Sequence, residues 1–326
     1  MNYRTLGRTE LEVSEVVFGG GWVGGLLILA DDETKRLALH RAHEAGVNWI
    51  DTAPMYANGR SEEALGWLLS ESGLEFHLST KVWVERGRAD GIAAQIERGL
   101  TSSLGRLRRD SVDLVQLHNP IGEGDGALDP ADVLMRDGVV DTLERLRDQG
   151  LFTHIGMTAL GQRTGIIELL DTGCFDTAQV YYNLLNPTAA LAHPPADWPG
   201  HDFSGVIDAC KRHGTGVMNI RVFAAGVIPT DVPHERQGPP LTRGSDLDVE
   251  RVRMRAVVDA LGERHGSRAQ TGLRYVLSNP DIACAIVGLA ELSQLDEVIA
   301  GQAMGKLPES ALSELEDIQK SSFGRR

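Results

Sequence analysis

The sequence predicts an α/β protein, a (β/α)8 or TIM barrel occupying residues 1–326 as one domain, with an N-terminal β-hairpin and long loops at one face. Two observations carry this. Counted from VVFGG (residues 16–20), strand and helix patterns alternate through eight units, which favours a closed barrel over an open doubly wound sheet. Strands such as VDLVQL and ACAIVGL are almost continuous apolar runs, as parallel strands covered on both faces require. No shift of composition along the chain marks a linker.

The elements follow in order. YRTLGRTELEVSEV reads as two short strands around a Gly-Arg turn, and VVFGG as the first barrel strand. A helix from about Asp32 to Ala45 stops at Gly46, a typical residue just past a helix end. VNWIDTA is the second barrel strand. Ser61 is expected to cap the next helix, with Glu63 and Ala64 in its first turn. FHLSTKV, an amphipathic helix over 90–105, and VDLVQLH come next. A helix over about 131–149 then ends at Gly150, before the strand FTHIGMT. The helix GIIELLDTG, the strand FDTAQVYY, a helix over 202–213 and the strand GVMNIRV continue the alternation. Helices over 248–265 and 268–278 precede the last strand, IACAIVGL, and helices near 292–301 and 309–320 close the chain.

Three connections exceed the usual two to six residues. They are NPIGEGDGALDP after the fourth barrel strand, 183–201 after the sixth and 224–247 after the seventh. All leave C-terminal strand ends, the face that carries the site in this architecture. Composition narrows the function. The net charge of −14 opposes broad nucleic-acid binding, which needs a basic footprint. No apolar run reaches the roughly 20 residues needed to span a bilayer, and the N-terminus lacks a signal pattern. A cytoplasmic protein is expected, without a membrane partner. Cys174, Cys210 and Cys284 are widely spaced and odd in number, which suits free thiols in a reducing compartment.

Four chemically active side chains fall at the C-terminal ends of three successive strands: Asp51 and Tyr56, then Lys81, then His118. A free tyrosine titrates near pH 10, too high for ready proton exchange at neutral pH. A neighbouring ammonium stabilises the phenolate and lowers that value. Lys81 is placed to supply the charge, Asp51 to pair with Lys81, and His118 to orient a substrate oxygen or share the proton. The set suits proton transfer at an oxygen while hydride moves at the attached carbon. Singly, each has a plainer reading: a loop cap, a structural ion pair, a core histidine. Their joint placement favours catalysis.

Other patterns compete with this one. Gly19, Gly21 and Gly24 match G-x-G-x-x-G after a strand, the outline of a dinucleotide fingerprint. The acidic residue at 51 lies beyond the usual spacing of about 20, and the eight-unit pattern opposes an open sheet. His40 and His43 sit i, i+3 on an outer helix, away from the active face, so no metal is expected. A Schiff-base aldolase using Lys81 would need a lysine of lowered pKa, whereas Asp51 would hold Lys81 charged.

Several stretches together resemble the aldo-keto reductase superfamily: YRTLGRTELEVSEVVFGGGW, DTAPMYANGRSEEALGWLL, STKV, SVDLVQLH, HIGMTAL, AQVYYNLLN and IVGLAELSQLDEVI. They cover almost the whole chain in order, and Asp-Thr-Ala-Pro-x-Tyr with Ser-Glu-Glu downstream is the specific signal. The resemblance implies an NAD(P)-dependent oxidoreductase, with Tyr56 as general acid or base and Asp51, Lys81 and His118 in support. It also implies cofactor contacts at Gly21, Trp22, Asp51, Thr158, Gln179, Ile220, Arg221, Phe223, Gly288, Gln294 and Glu297. The usual Ser-Asn pair is here Thr158-Ala159, which keeps a hydroxyl but loses an amide. The usual aromatic residue followed by Ser-Pro-Leu is here Ile220, Arg221, Val222, Phe223; Ile220 covers a ring face without stacking, and Arg221 is assigned to the pyrophosphate.

NADP-specific members often place Lys or Arg where this chain has Gly288, Ala290 and Gln294. A 2′-phosphate needs cationic partners, so NAD is favoured over NADP unless an arginine of the 234–255 region, such as Arg236 or Arg243, intervenes. GMTAL and VMNIRVFAAG resemble the branch that contains L-galactose dehydrogenase and bacterial aldose 1-dehydrogenases. The resemblance therefore implies an aldose substrate oxidised at C1 to a lactone. A general aldehyde or ketone reductase using NADPH is the alternative within the class. A nucleotide-binding regulatory subunit resembling potassium-channel β subunits is the alternative outside it. The oligomeric state is open.

Overall fold

The computed structural model describes residues 1–21, 25–196, 198, 200–232 and 246–324. A hairpin of β1 (Tyr3–Thr5) and β2 (Glu12–Ser14) precedes a closed parallel barrel of eight strands. The barrel runs β3 (Val16–Gly19), β4 (Trp49–Asp51), β5 (His77–Val82), β6 (Val112–Leu117), β7 (Phe152–Ala159), β8 (Thr177–Tyr181), β9 (Gly216–Ile220) and β10 (Cys284–Gly288), which closes on β3. Each strand is thus paired on both edges and has no edge left exposed.

Residue alternation sets what fills the barrel. Val17, Trp49, Leu114, Met218 and Cys284 form a buried apolar layer with Leu6 and Val13 of the hairpin segment. The hairpin thereby plugs the end of the barrel opposite the C-terminal strand ends. Towards the C-terminal strand ends, several positions turn polar. Asp51 pairs in register with Ser79, Lys81 with Gln116, and Thr158 with Gln179. The outward faces of the strands pack on the helices in one large core that includes Ile50, Val115, Ile155 and Val287.

The helices start and stop where local chemistry directs. α2 (Asp32–Glu44) follows α1 (Leu26–Leu29) and is capped by Asp31, whose side chain accepts from the Thr34 N–H at 2.8 Å. α3 (Arg60–Ser72), α4 (Gly91–Leu107), α7 (Arg163–Asp171), α8 (Val206–His213) and α9 (Leu247–Leu261) lie on the outside. α10 (Arg268–Ser278) opens on a capping box of Ser267 and Gln270, and α11 (Leu292–Ala303) and α12 (Glu309–Lys320) end the chain. Among the described residues, no helix is long and apolar enough to cross a membrane.

Two local expectations are corrected. The helix expected over 131–149 is two helices, α5 (Pro130–Leu134) and α6 (Val139–Asp148). Asp137 adopts a left-handed φ of 56°, and at Gly138 a Cβ would lie 2.6 Å from the Met135 carbonyl oxygen, so the chain turns where a helix would continue. Ser61 does not cap α3; Gly59 does, at φ 89°. The Ser61 hydroxyl is instead buried, donating to the Gly20 carbonyl and bonded to Thr52 Oγ1. Gly19 and Gly21 belong to a closed barrel, in agreement with the eight-unit pattern and against the open-sheet dinucleotide alternative; Gly24 lies outside the described residues.

Candidate active site

β4 and β5 deliver Asp51 and Lys81 to the open end of the barrel, and both are almost wholly buried. Tyr56 reaches them from a tight turn. Its N–H donates to the Ala53 carbonyl, and Ala57, Asn58 and Gly59 follow with φ of 51°, 55° and 89°. Three consecutive left-handed residues reverse the chain into α3 and leave the tyrosine pointing back over the barrel mouth.

The Lys81 ammonium spends all three protons inside this cluster. Nζ donates to Asp51 Oδ2 at 2.6 Å, to the Thr52 carbonyl at 2.8 Å and to Tyr56 Oη at 3.2 Å. An ammonium only donates, so Tyr56 Oη is the acceptor there and its own O–H is left to point elsewhere. Burial alone would push Lys81 down; the Asp51 carboxylate, the phenol and their hydrogen bonds outweigh it and hold the lysine above its usual value. That is the opposite of what a Schiff-base lysine needs.

For Tyr56 the balance goes against the sequence expectation. Burial raises its pKa, the Lys81 charge lowers it, the Asp51 charge raises it, and the net direction is upward. The lysine opposes the shift without reversing it, because the same enclosure that strengthens the ion pair also penalises a phenolate. At neutral pH Tyr56 is therefore a phenol with a proton to give.

Asp51 is held by more groups than the sequence suggested. Oδ1 accepts from Ser79 Oγ at 2.8 Å, Gln116 Nε2 at 2.9 Å and Gln179 Nε2 at 2.8 Å. Ser79 and Gln116 escaped the sequence reading. A partial signal was present: Ser79 stands at i−2 from Lys81 and Gln116 at i−2 from His118, and Gln116 is a polar residue within a largely apolar strand. Gln179, expected to face a cofactor, lines the cavity and also orients Asp51.

His118 follows the last residue of β6, and its N–H extends the ladder to the Val82 carbonyl. Its ring stands edge-on to Tyr56 at 5.8 Å between centroids and edge-on to Trp83 at 6.2 Å. Burial, then the Lys81 charge, lower its pKa to about 3, so the imidazole is neutral at physiological pH. Nδ1 is buried without a partner among the described residues. A buried orphan N–H is rarer than an orphan acceptor, which puts the single ring proton on Nε2.

A cavity of about 310 Å³ opens above this cluster. Gly21, Asp51, Tyr56, His118, Thr158, Gln179, Ile220, Arg221, Phe223 and Gly288 all line it. Gln294 and Glu297 do not. Gln294 Oε1 accepts from the Ala290 N–H at 2.7 Å, and Glu297 Oε1 accepts from Ser267 Oγ at 2.5 Å. Trp22, Arg236 and Arg243 lie outside the described residues. Arg221 adopts φ 61°, with its carbonyl accepting from Asn183 Nδ2, and burial pushes its pKa down. Thr158 Oγ1 is buried and has no partner among the described residues. A hydroxyl left unsatisfied on a cavity wall fits a ligand carrying its own amide or hydroxyl.

A family model described as the Aldo/keto reductase family matches residues 15–320. The chain belongs to this family. This aldo/keto reductase is an NAD(P)-dependent oxidoreductase. It is 24% identical to "L-galactose dehydrogenase" from Arabidopsis thaliana over 97% of this chain and 93% of that protein. It is also 28% identical to a "Probable voltage-gated potassium channel subunit beta" from Oryza sativa subsp. japonica, over 91% of this chain and 90% of that one. A solved aldo-keto reductase from Bacillus halodurans, in its holo form, shares the fold with a TM-score of 0.72 at 23% identity, covering 98% of this chain and 96% of that chain. The reductase also fits the chemistry of its cavity, which is lined by the Tyr56 phenol that the Lys81 ammonium contacts.

Proposed function

We propose that residues 1–326 form a single catalytic domain, acting in the cytoplasm, that oxidises an aldose at C1 to a lactone with NAD and uses Tyr56 as its acid–base residue. The observation that carries the reading is the Lys81 ammonium, tied at once to Asp51, the Thr52 carbonyl and the Tyr56 oxygen. Thr158 and Gln179 would hold the nicotinamide carboxamide, Ile220 would cover its ring, Arg221 and Phe223 would flank the diphosphate, and Gly21 and Gly288 would leave it room. The nicotinamide supplies or accepts the hydride.

The protein's own part is the proton. In oxidation, the Tyr56 phenolate takes the proton of the C1 hydroxyl and Lys81 stabilises that phenolate. In reduction, the Tyr56 phenol gives its proton to the carbonyl oxygen. Neutral His118 donates its Nε2 proton to the same oxygen and fixes its direction. Because Tyr56 rests as a phenol, oxidation accelerates as pH rises and reduction does not.

Similarity to an L-galactose dehydrogenase supports the sugar. Neutral Gly288, Ala290 and Gln294, the last bonded to backbone, support NAD; no lysine or arginine stands among these three for a 2′-phosphate. Similarity to channel β subunits supports a second reading, a nucleotide-binding regulatory subunit. The complete Tyr56–Lys81–Asp51–His118 set favours turnover over binding alone. Titration with NADH and NADPH, following tryptophan fluorescence, tests the cofactor. Tighter NADH binding supports the reading, tighter NADPH binding turns it toward carbonyl reduction, and binding of neither removes it.

A further inference from the structure

Beside the acid–base cluster, a second polar arrangement fixes an aromatic side chain next to His118. Asn119 follows His118 and is fully buried. Its side-chain amide pairs with both backbone groups of Val84, accepting from the N–H at 2.9 Å and donating to the carbonyl at 2.8 Å. It thus continues the β5–β6 ladder one step past the strand ends. Its remaining proton goes to the Gly126 carbonyl at 2.8 Å. All the hydrogen-bonding capacity that a buried amide offers to these neighbours is spent on holding three backbone groups.

Trp83 is caught between these anchors. It precedes Val84, and its ring stands edge-on to His118. Gly126, at φ 71°, lies against its far side: a Cβ there would sit 2.3 Å from Cζ2 and 2.9 Å from Cη2. Only a residue without a side chain lets the loop close on the indole. The loop is itself fastened, with Ile121 donating to the Leu160 carbonyl at 2.8 Å and accepting from the Gln162 N–H at 2.6 Å. The glycine is therefore the side of the contact that holds its place, and the outer ring of the indole is the side that yields.

We propose that Asn119 and Gly126 are positioning residues that clamp the Trp83 indole beside His118, and that this clamp sets which carbonyl or sugar substrates the site accepts. The specificity half rests on the functional reading above; the clamp itself does not. Both residues act through Trp83 and neither touches substrate.

Gly126→Ala tests it, with Gly87→Ala as the control. Gly87 has a similar φ of 77°, and a Cβ there would meet nothing within 4 Å, so it carries the backbone strain without the contact. Trp83→Phe removes the ring atoms that the new methyl meets. Trp83 emission, taken as the difference between wild type and Trp83→Phe, shifts in Gly126→Ala and not in Gly87→Ala. NADH affinity stays within about twofold, while KM for bulky substrates rises about tenfold relative to a two-carbon aldehyde, the size of effect one misplaced apolar group gives in a pocket. The double variant Gly126→Ala/Trp83→Phe behaves like Trp83→Phe alone, because the contact no longer exists. Unchanged Trp83 emission in Gly126→Ala overturns the clamp even if no substrate is found. Shifted emission with unchanged selectivity among turned-over substrates overturns the specificity role. Additive effects in the double variant overturn the contact as its cause.

Discussion

Replacing Asp51 with asparagine isolates the interaction on which the site is built. The carboxylate accepts four hydrogen bonds, one from Lys81 on Oδ2 and three from Ser79, Gln116 and Gln179 on Oδ1. An amide of the same shape has one acceptor oxygen and one NH2 group. If the oxygen faces the three donors, the NH2 meets the Lys81 ammonium at the former 2.6 Å position. If it is flipped, the NH2 meets two glutamine amides and a serine. Either way a fully buried ammonium loses its counter-charge. Breaking a buried pair from one side costs about 3–5 kcal/mol, a large share of the roughly 5–15 kcal/mol that holds a domain together. Lys81→Met removes the stranded charge, so the double variant Asp51→Asn/Lys81→Met regains at least about 2 kcal/mol over Asp51→Asn. Equilibrium urea unfolding at neutral pH, followed by circular dichroism, measures both. An Asp51→Asn variant within about 1 kcal/mol of wild type, or strictly additive losses in the pair, would refute the claim that Lys81 is held charged by Asp51.

Two further outcomes follow from orphaned or shifted groups. His118 has a folded pKa near 3 against an ordinary value of 6.5, so below pH 6.5 the unfolded chain binds the extra proton. Stability then falls with acidification at a slope approaching 1.4 kcal/mol per pH unit between about pH 6 and 4, and His118→Asn removes that share of the slope in urea unfolding. Thr158→Val deletes a buried hydroxyl that has no partner among the described residues; thermal unfolding should show no loss of stability, whereas NADH affinity in a fluorescence titration should fall about two- to tenfold.

The barrel was legible because strands such as VDLVQL and ACAIVGL are almost continuous apolar runs and because Gly46 and Gly150 end helices between strands. That Asp51 and Lys81 meet was legible because both sit near strand ends fixed by topology; Tyr56 reaches them from a turn whose left-handed residues no periodicity records. Ser79 and Gln116 were not read, since their role depends on the lateral register that sets Asp51 beside Ser79 and Lys81 beside Gln116. The break between α5 and α6 depends on a close backbone approach at Gly138 that no periodicity records. Ser61 has a capping residue's chemistry, but the left-handed run before α3 moved the cap to Gly59. The upward direction of Tyr56 needed the depth of the cavity, which decides whether burial or the ammonium prevails.

Turnover by Tyr56→Phe is the most direct test of the central claim. The variant keeps the ring and loses only the hydroxyl that Lys81 contacts. NADH formation from aldoses should fall at least about a hundredfold, the loss expected when a general acid–base group is removed, with dinucleotide affinity within a few-fold of wild type. Activity retained within a few-fold on the best substrate would mean that the proton moves through another group.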